Sequence, residues 1–263
     1  MMTPMLHRIT SLHRITCLHR IASLYRIAKP GLFCLLFCPM FCLSLVSFVT
    51  HAEQSTDYEA LFKASADNAA LSKLVTRLGG GESARGEFTQ SRYLKVLKKP
   101  LVSRGEFLFQ DKLGIAWLQT APFPSGLVLT QNTLVQIDAD GNRQVSHADD
   151  NPQAGAMAQM MPKLMSALLS GDIAPLEAQF TLHLQQQAEC WQLGLEPIDP
   201  LIKQAMPRIV LQGSEQLESL SLLDNRGDFS VIEFNALAQR PLTADEQAYF
   251  KLDAAPRPAT EAR

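Results

Sequence analysis

Residues 104–141 read RGEFLFQDKLGIAWLQTAPFPSGLVLTQNTLVQIDADG and decide the class of fold. Short apolar or alternating stretches are separated by Gly, Pro and Asn, which is the pattern of short strands joined by turns. Asp140-Gly141 is a strong signal for a hairpin turn. Several short strands at this regular spacing predict an antiparallel sheet that curls.

The sequence upstream extends this pattern. Arg85-Gly86-Glu87-Phe88 recurs as Arg104-Gly105-Glu106-Phe107, and the repeat suggests two neighbouring strands. Before them, a helix is predicted from about residue 58 to residue 78. Asp57 is its predicted cap and the glycines at 79–81 end it.

A second helix interrupts the strands. Asp150-Asn151-Pro152 is a cap followed by proline at the first helical position, and it opens a predicted helix over 153–169. Pro162 is expected to kink or split this helix. Further strands are predicted over 177–186, 190–195, 208–213, 217–224 and 229–234. The order helix, strands, helix, strands predicts an α+β fold in which helices cover one face of a sheet.

The first 52 residues have the composition of an export leader. They contain five basic residues and no Asp or Glu, and residues 31–49 form an almost uninterrupted apolar run before Thr50-His51-Ala52. This pattern predicts a signal peptide cleaved after Ala52 and a periplasmic location. An uncleaved anchor is the alternative, because 19 apolar residues are nearly enough to span a bilayer. A six-residue repeat over 6–28 is low-complexity sequence, excluded from the fold.

The remainder, residues 53–263, is predicted to be a single domain with a frayed tail over 256–263. The chain has 24 basic and 26 acidic residues. Since the leader holds five of the basic ones, 19 remain and the net charge of this part is −7. Nucleic-acid affinity depends on neutralising phosphates, so an acidic domain argues against a nucleic-acid partner.

No motif for catalysis or metal binding stands out in the sequence. His147 and His183 lie far apart and have no metal-ligand spacing. His183 alternates with Leu182 and Leu184 and is expected to face solvent. The glycines at 79–81 are not followed by Lys-Ser/Thr, and no Gly-x-Ser-x-Gly elbow occurs. We therefore expect no enzyme, no cofactor and no metal.

Two apolar features favour a binding cavity. The helix over 153–169 is rich in methionine, whose adaptable side chain suits surfaces that accept varied apolar ligands; ordinary core packing is the alternative. Apolar residues at alternating strand positions predict one apolar face of the sheet, as either a filled core or an open cavity. The candidate ligand-binding residues are Phe88, Phe107, Phe109, Ile115, Trp117, Leu127 and Leu129 on the strands, and Met157, Met160, Met161, Leu164, Met165 and Leu168 on the helix.

The ordered series of motifs resembles the LolA family of outer-membrane lipoprotein carriers over roughly residues 58–250. The motifs are Phe88-Thr89-Gln90, Gly105-Glu106-Phe107-Leu108-Phe109, Trp117, Thr120-Ala121-Pro122 and residues 127–134, with weaker likeness through 191–193 and 217–234. The resemblance implies an unclosed antiparallel β-barrel or half-barrel, capped by helices, whose apolar interior takes up acyl chains.

The resemblance also implies partners. An inner-membrane transporter would donate an acylated lipoprotein to the carrier, a monomer without cofactor, and an outer-membrane receptor would accept it. Family members commonly place Arg-Pro before the strand with the tryptophan, and the arginine helps to latch a lid. Asp111-Lys112 stand there in this chain. This departure leaves open a paralogue that carries another lipid or apolar biosynthetic product. A non-lipid envelope assembly factor is a further alternative.

Overall fold

A computed structural model describes residues 58–64, 66–79, 81–130, 133–147, 160–168, 174–187 and 189–251. The chain divides into two units, Met1–Glu59 and Ala60–Arg263, and the described strands all belong to the second. The leader with its cleavage site, Met157 and the frayed tail lie outside the described residues, and the statements about them stay predictions.

The strands of the described chain form one antiparallel sheet of eleven strands. Their turns fall at the Gly, Pro, Asn and Asp residues that punctuate the sequence. In chain order the strands are β1 (Ser83–Tyr93), β2 (Leu101–Gln110), β3 (Gly114–Ala121), β4 (Ser125–Leu129), β5 (Thr133–Ile137), β6 (Arg143–His147), β7 (Phe180–Gln187), β8 (Cys190–Pro197), β9 (Arg208–Gly213), β10 (Leu217–Leu223) and β11 (Phe229–Ala238).

Short helices accompany the sheet in the described residues. They are α1 (Glu59–Lys63), α2 (Asn68–Leu78), α3 (160–168), α4 (Ala174–Glu177), α5 (Pro200–Ala205) and α6 (Ala244–Gln247), which continues as a 3₁₀ turn, Ala248–Phe250. Among these residues, no helix has the length and apolar character needed to span a bilayer.

The sheet consists of two meanders joined edge to edge. Its strand order is β6-β5-β4-β3-β2-β1-β11-β10-β9-β8-β7, so the first meander meets the second through the pairing of β1 with β11. The outermost strands, β6 and β7, do not pair with each other, and the sheet is not closed. The predicted α+β fold with an unclosed antiparallel sheet covered by helices is confirmed. The repeated Arg-Gly-Glu-Phe motifs do lie on neighbouring strands, with Glu87 opposite Glu106.

The hydrophobic core lies mainly on one face of the sheet, which we call the inner face. Helices α2 and α3 pack against this face with their leucine and methionine side chains. The opposite, outer face of the first meander is covered by Leu242 and Phe250 from the carboxy-terminal segment, which contact Leu108, Ala116 and Val128.

The prediction of a single first helix is wrong, because two helices, α1 and α2, occupy that part of the chain. Helix α1 ends at Lys63, and Asp67 then takes an extended conformation and caps α2 by accepting a hydrogen bond from the backbone N–H of Ala69. An aspartate side chain that satisfies a free N–H starts a helix at its own position. The predicted end at Leu78 is confirmed, with Gly79 as the next residue.

His183 is not the solvent-facing residue that the strand alternation predicts. It is half-buried, its Nδ1 lies 2.7 Å from the carbonyl oxygen of Ala64, and its ring lies 5.4 Å from that of Phe62. The alternation does place His183 on the outer face. Helix α1 covers that part of the outer face, and sequence periodicity alone does not reveal such a cover.

Other differences concern the ends of elements. Residues 174–177 form helix α4 where a strand is predicted from 177, and β11 runs four residues past its predicted end at 234. The helical residues 160–168 agree with the predicted methionine-rich helix and include Pro162. Residues 153–159 lie outside the described chain, so the kink at Pro162 stays a prediction.

Candidate functional site

The two Arg-Gly-Glu-Phe motifs set two aromatic rings against the inner face. Phe88 lies opposite Gly105, and Phe107 lies opposite Gly86. A Cβ atom on Gly105 would lie 2.8 Å from Cε1 of Phe88, and one on Gly86 would lie 2.7 Å from Cε1 of Phe107. Each ring therefore occupies space above the glycine of the other motif, which explains why each motif pairs a glycine with a phenylalanine.

Two more rings complete what we call the aromatic cluster: Phe88, Phe107, Trp117 and Phe234. The Trp117 ring stacks on Phe88 with centroids 3.8 Å apart, and Phe234 meets Phe107 edge-on at 5.3 Å. Such pairs each contribute about 0.5–1.5 kcal/mol beyond burial of their area. Phe88 and Phe107 are buried, whereas Trp117 and Phe234 are half-buried. The cluster therefore keeps part of its surface accessible.

Helix α3 lies over this face and joins both halves of the core. Met160, Leu164 and Leu168, four residues apart and hence on one side of the helix, pack with α2 and the second meander. Met165 packs with the first meander. Met161 is half-buried and contacts both groups. The methionine-rich helix α3 thus covers the inner face together with α2.

A polar contact ties this cover to the sheet. The hydroxyl of Ser166 on α3 donates a hydrogen bond to Oδ1 of Asp111 at 2.8 Å, in a half-buried setting. Asp111 begins the β2–β3 turn, where its backbone N–H donates to the carbonyl of Glu82. The following Lys112 has φ 69°. Asp111 therefore occupies the position where the resemblance implies arginine, and it too contacts a covering helix.

The predicted ligand-binding residues do come together in the structure. Those on the strands line the inner face and those on α3 lie against it, with Met157 outside the described residues. The buried ones are Phe88, Phe107, Phe109, Ile115, Leu129, Met160, Leu164, Met165 and Leu168; the half-buried ones are Trp117, Leu127 and Met161. These side chains pack against one another in the described state. Ligand binding by them stays a prediction.

A cavity lies to one side of these residues, between α2, α4 and β7. Its volume is about 300 Å³, at the low end of ligand-binding pockets. The described residues that line it are Ala66, Asn68, Leu71, Glu177, Phe180 and Leu182. None of them belongs to the predicted set.

Several residues of the site escape the sequence prediction. Phe234 joins the aromatic cluster, and Leu134 and Leu237 are further half-buried side chains beside it. The alternation of Ile232 and Phe234 along β11 is a signal that would have identified Phe234. The Ser166–Asp111 contact has no such signal, because it joins residues 55 positions apart.

The arrangement offers dispersion and hydrophobic contacts rather than reactive groups. Its surfaces are aromatic, aliphatic and thioether side chains. Within the described residues, no three metal-ligating side chains come together. The half-buried side chains beside α3 include Trp117, Leu127, Met161 and Phe234, and they give the inner face a partly accessible apolar patch. An apolar ligand is the chemical class that such a patch suits.

The sequence matches the family described as Outer membrane lipoprotein carrier protein LolA-like over residues 63–247. No curated protein matches the chain.

Solved structures similar to the chain include a LolA superfamily protein from Nitrosomonas europaea, at 9% identity and TM-score 0.38, covering 69% of this chain and 97% of that protein. A DUF1329 family protein from Desulfovibrio piger has 12% identity and TM-score 0.42, covering 71% and 96%. A domain described as an outer membrane lipoprotein-sorting protein, from Vibrio parahaemolyticus, has 8% identity and TM-score 0.39, covering 68% and 94%.

Proposed function

The chain belongs to the Outer membrane lipoprotein carrier protein LolA-like family, and on that premise we propose that it is a non-enzymatic periplasmic carrier that binds the acyl chains of lipoproteins. The observation that carries the proposal is the aromatic cluster half-covered by the methionine-rich helix α3. Acyl chains bind against this cluster, beside Trp117 and Met161.

Binding requires α3 to move, because its buried side chains pack against the part of the inner face that an acyl chain would have to enter. Burying an acyl chain contributes about 0.8 kcal/mol per methylene, so ten methylenes contribute roughly 8 kcal/mol. Methionine side chains are unbranched and repack at small cost. The cargo therefore replaces contacts of the same apolar kind and holds the helix in a displaced position.

The proposed carrier works as a monomer between two membranes. An inner-membrane transporter supplies the lipoprotein and an outer-membrane acceptor receives it. No cofactor is needed, because the direction of transfer follows differences in how well each site buries the acyl chains.

Release of an acylated lipoprotein from inner-membrane vesicles, in the presence of the transporter, tests the proposal. We compare the parent protein with Met161→Gln, which places a polar amide at the half-covered patch. The matched control is Leu118→Gln, at a half-buried position on the outer face. We expect release by the parent and the control and at least a severalfold loss with Met161→Gln. No release by the parent protein would reject lipoprotein carriage.

A second candidate function is carriage of another lipid or apolar biosynthetic product. The observation that favours it is Asp111, which replaces the arginine that the resemblance implies and contacts α3 through Ser166. Mass spectrometry of gently purified protein separates the candidates. A co-purified lipid other than an acylated protein supports this second function, whereas an empty protein that never takes up lipid supports an envelope assembly factor.

A further inference from the structure

The exposed apolar side chains of the described residues gather at one end of the sheet. Tyr93 pairs with Phe229, which places the β1–β2 and β10–β11 turns at this end. Leu223 pairs with Arg208, so the β8–β9 connection lies there too. Arg104 pairs with Ala121, which adds the β3–β4 turn. The large exposed hydrophobic residues there are Tyr93, Val96, Leu97, Leu101, Val102, Phe123, Ile198 and Leu201; Val145 on the edge strand β6 lies away from them.

The β1–β2 hairpin is the centre of this surface. Val96 is 87% exposed, Leu97 44% and Leu101 54%. Large aliphatic side chains this exposed side by side on a connecting turn are unfavourable in water unless another surface covers them. On the neighbouring β3–β4 turn, Phe123 is 73% exposed. These exposed apolar side chains thus lie at the end of the sheet and belong to neither of the clusters on the inner face.

The same hairpin is strongly basic in an acidic chain. Residues 92–104, which we call the basic hairpin, contain five basic residues and no acidic one, namely Arg92, Lys95, Lys98, Lys99 and Arg104. The predicted mature chain has a net charge of −7, and the hairpin contributes +5 to it. The rest of the mature chain therefore has a net charge of −12. Lys95, Lys98 and Lys99 are exposed and take part in none of the ion pairs shown among the described residues.

We propose that the basic hairpin docks on the surface of an anionic lipid bilayer, with Val96, Leu97 and Phe123 at the acyl boundary and the lysines among the headgroups. Apolar side chains flanked by lysine suit this interface, because an anionic bilayer combines an apolar interior with a negative surface potential. The five basic residues of the hairpin favour that surface in an otherwise acidic chain, although the adjacent β10–β11 turn carries Asp224 and Asp228, and Asp228 accepts a hydrogen bond from the backbone N–H of Lys95.

Sedimentation of the purified protein with vesicles tests the inference. We use vesicles of phosphatidylcholine alone and vesicles in which about a third of the lipid is phosphatidylglycerol, so that the second set carries a negative surface potential. Binding is expected only to the anionic vesicles and should weaken as salt is raised, because salt screens exposed charges. Equal binding to both compositions, or none to either, would overturn the proposal.

Variants locate the binding surface. Replacing Lys95, Lys98 and Lys99 together by Gln is expected to weaken binding roughly fivefold per lysine, or about a hundredfold in all. The matched control replaces the exposed lysines Lys63, Lys73 and Lys163 by Gln. Similar losses in both triple variants would show that general charge, and not the hairpin, drives binding, and would refute the proposal.

The apolar contribution has its own pair of variants. Val96→Ser with Leu97→Ser should weaken binding about tenfold or more, because the inserted aliphatic groups are lost, whereas Val145→Ser should leave it unchanged. Far-ultraviolet circular dichroism verifies that each variant is folded. A further arm uses inner-membrane vesicles before and after protease treatment. Binding that survives the protease supports a lipid surface, and binding that disappears identifies a membrane protein as the partner and overturns the inference.

Discussion

Glu246 ties the carboxy-terminal segment to the outer face of the sheet. Nη1 and Nη2 of Arg240 donate to its carboxylate at 2.9 and 2.8 Å, and Arg85 on β1 lies 3.2 Å away. The carboxylate also accepts from the backbone N–H of Thr243 at 2.7 Å, which closes the capping box of α6. The hydrogen bonds from Arg240, followed by those of Thr243, lower the pKa of Glu246 from 4.5 to about 2 despite its burial.

This lowered pKa predicts a pH-dependent contribution to stability. A carboxyl with a lower pKa in the folded state stabilises the protein fully above its unfolded pKa, 4.5, and loses that effect as pH falls to about 2. We expect Glu246→Gln to cost about 2 kcal/mol at pH 7, allowing for solvent screening of its partly exposed arginine partners. For a chain of this size that is a fall of roughly 4–8 °C in thermal midpoint.

The matched control for Glu246 is Glu233→Gln, at an exposed position on β11. Thermal unfolding followed by circular dichroism at several pH values gives the comparison. The deficit of Glu246→Gln should shrink between about pH 4.5 and about pH 2, since the parent carboxyl becomes protonated there. A deficit that stays constant across this range would contradict the electrostatic explanation.

The hydrogen bond between Ser166 and Asp111 is a second contact whose contribution to stability can be measured by single substitutions. A hydrogen bond to a charged group contributes about 1.5–3 kcal/mol, and this one joins α3 to the β2–β3 turn at 2.8 Å. We expect Ser166→Ala to let α3 open more often. Hydrogen exchange of the amides in residues 160–168 should become roughly tenfold faster, because exchange reports local opening.

Ser166→Thr is the control for this contact, because threonine keeps the hydroxyl donor. Its exchange rates should stay near those of the parent. Asp111→Asn should resemble Ser166→Ala in direction and be milder, since the amide oxygen still accepts but carries no charge. If exchange in 160–168 is the same in all four proteins, the hydrogen bond does not hold the helix.

At the scale of elements, helix α3 gives a prediction about oxidation. Met160 and Met165 are 1% and 4% exposed, whereas Met161 is half-buried. Limited treatment with hydrogen peroxide should oxidise Met161 before the other two, because oxidation of methionine follows access of the oxidant. Peptide mass spectrometry measures the three rates within one sample. Equal rates would mean that the helix opens faster than oxidation occurs, which contradicts a well-packed cover.

The helices and strands show how much of the fold can be predicted from the sequence alone. Strand β9 is predicted with its observed bounds, because its apolar run is bracketed by turn residues. The break between α1 and α2 is missed, since Asp67 reads equally well inside a helix or as its cap. Helix α6 is missed too, although Thr243 and Glu246 have the spacing of a capping box.

The sequence likewise predicts some residues of the candidate site and misses others. Alternation along the strands identifies which residues share the inner face, so Phe88, Phe107 and Trp117 are found together as predicted. Alternation says nothing about which strands become neighbours far apart in sequence. Alternation along β11 would have identified Phe234 as a residue of one face of that strand, but it does not show that β11 pairs with β1 and so brings this ring into the aromatic cluster.

The whole molecule is two meanders that share one interior. They meet along the pairing of β1 with β11, and the same apolar cluster contains Phe88 from the first meander and Trp191 from the second. Helices α2 and α3 add side chains to this cluster. Neither meander buries its inner face without the other, so we expect the two to unfold together.

The two tryptophans of the chain make this expectation measurable, because one lies in each meander. Trp117 stacks on Phe88, and Trp191 is buried with its Nε1 donating to the carbonyl of Ser214 at 2.9 Å. Trp191→Phe leaves Trp117 as the sole tryptophan, and Trp117→Phe leaves Trp191; excitation in the range that only tryptophan absorbs then reports that residue. In urea, the fluorescence transition of each variant should coincide with its own loss of far-ultraviolet circular dichroism, which reports all strands together.

Trp191→Phe is expected to be the less stable variant, since it leaves the Ser214 carbonyl without its donor. If the first meander instead unfolds alone when α3 opens, the Trp117 signal will change at lower urea than the circular dichroism, and the shared interior will not be the unit of cooperativity.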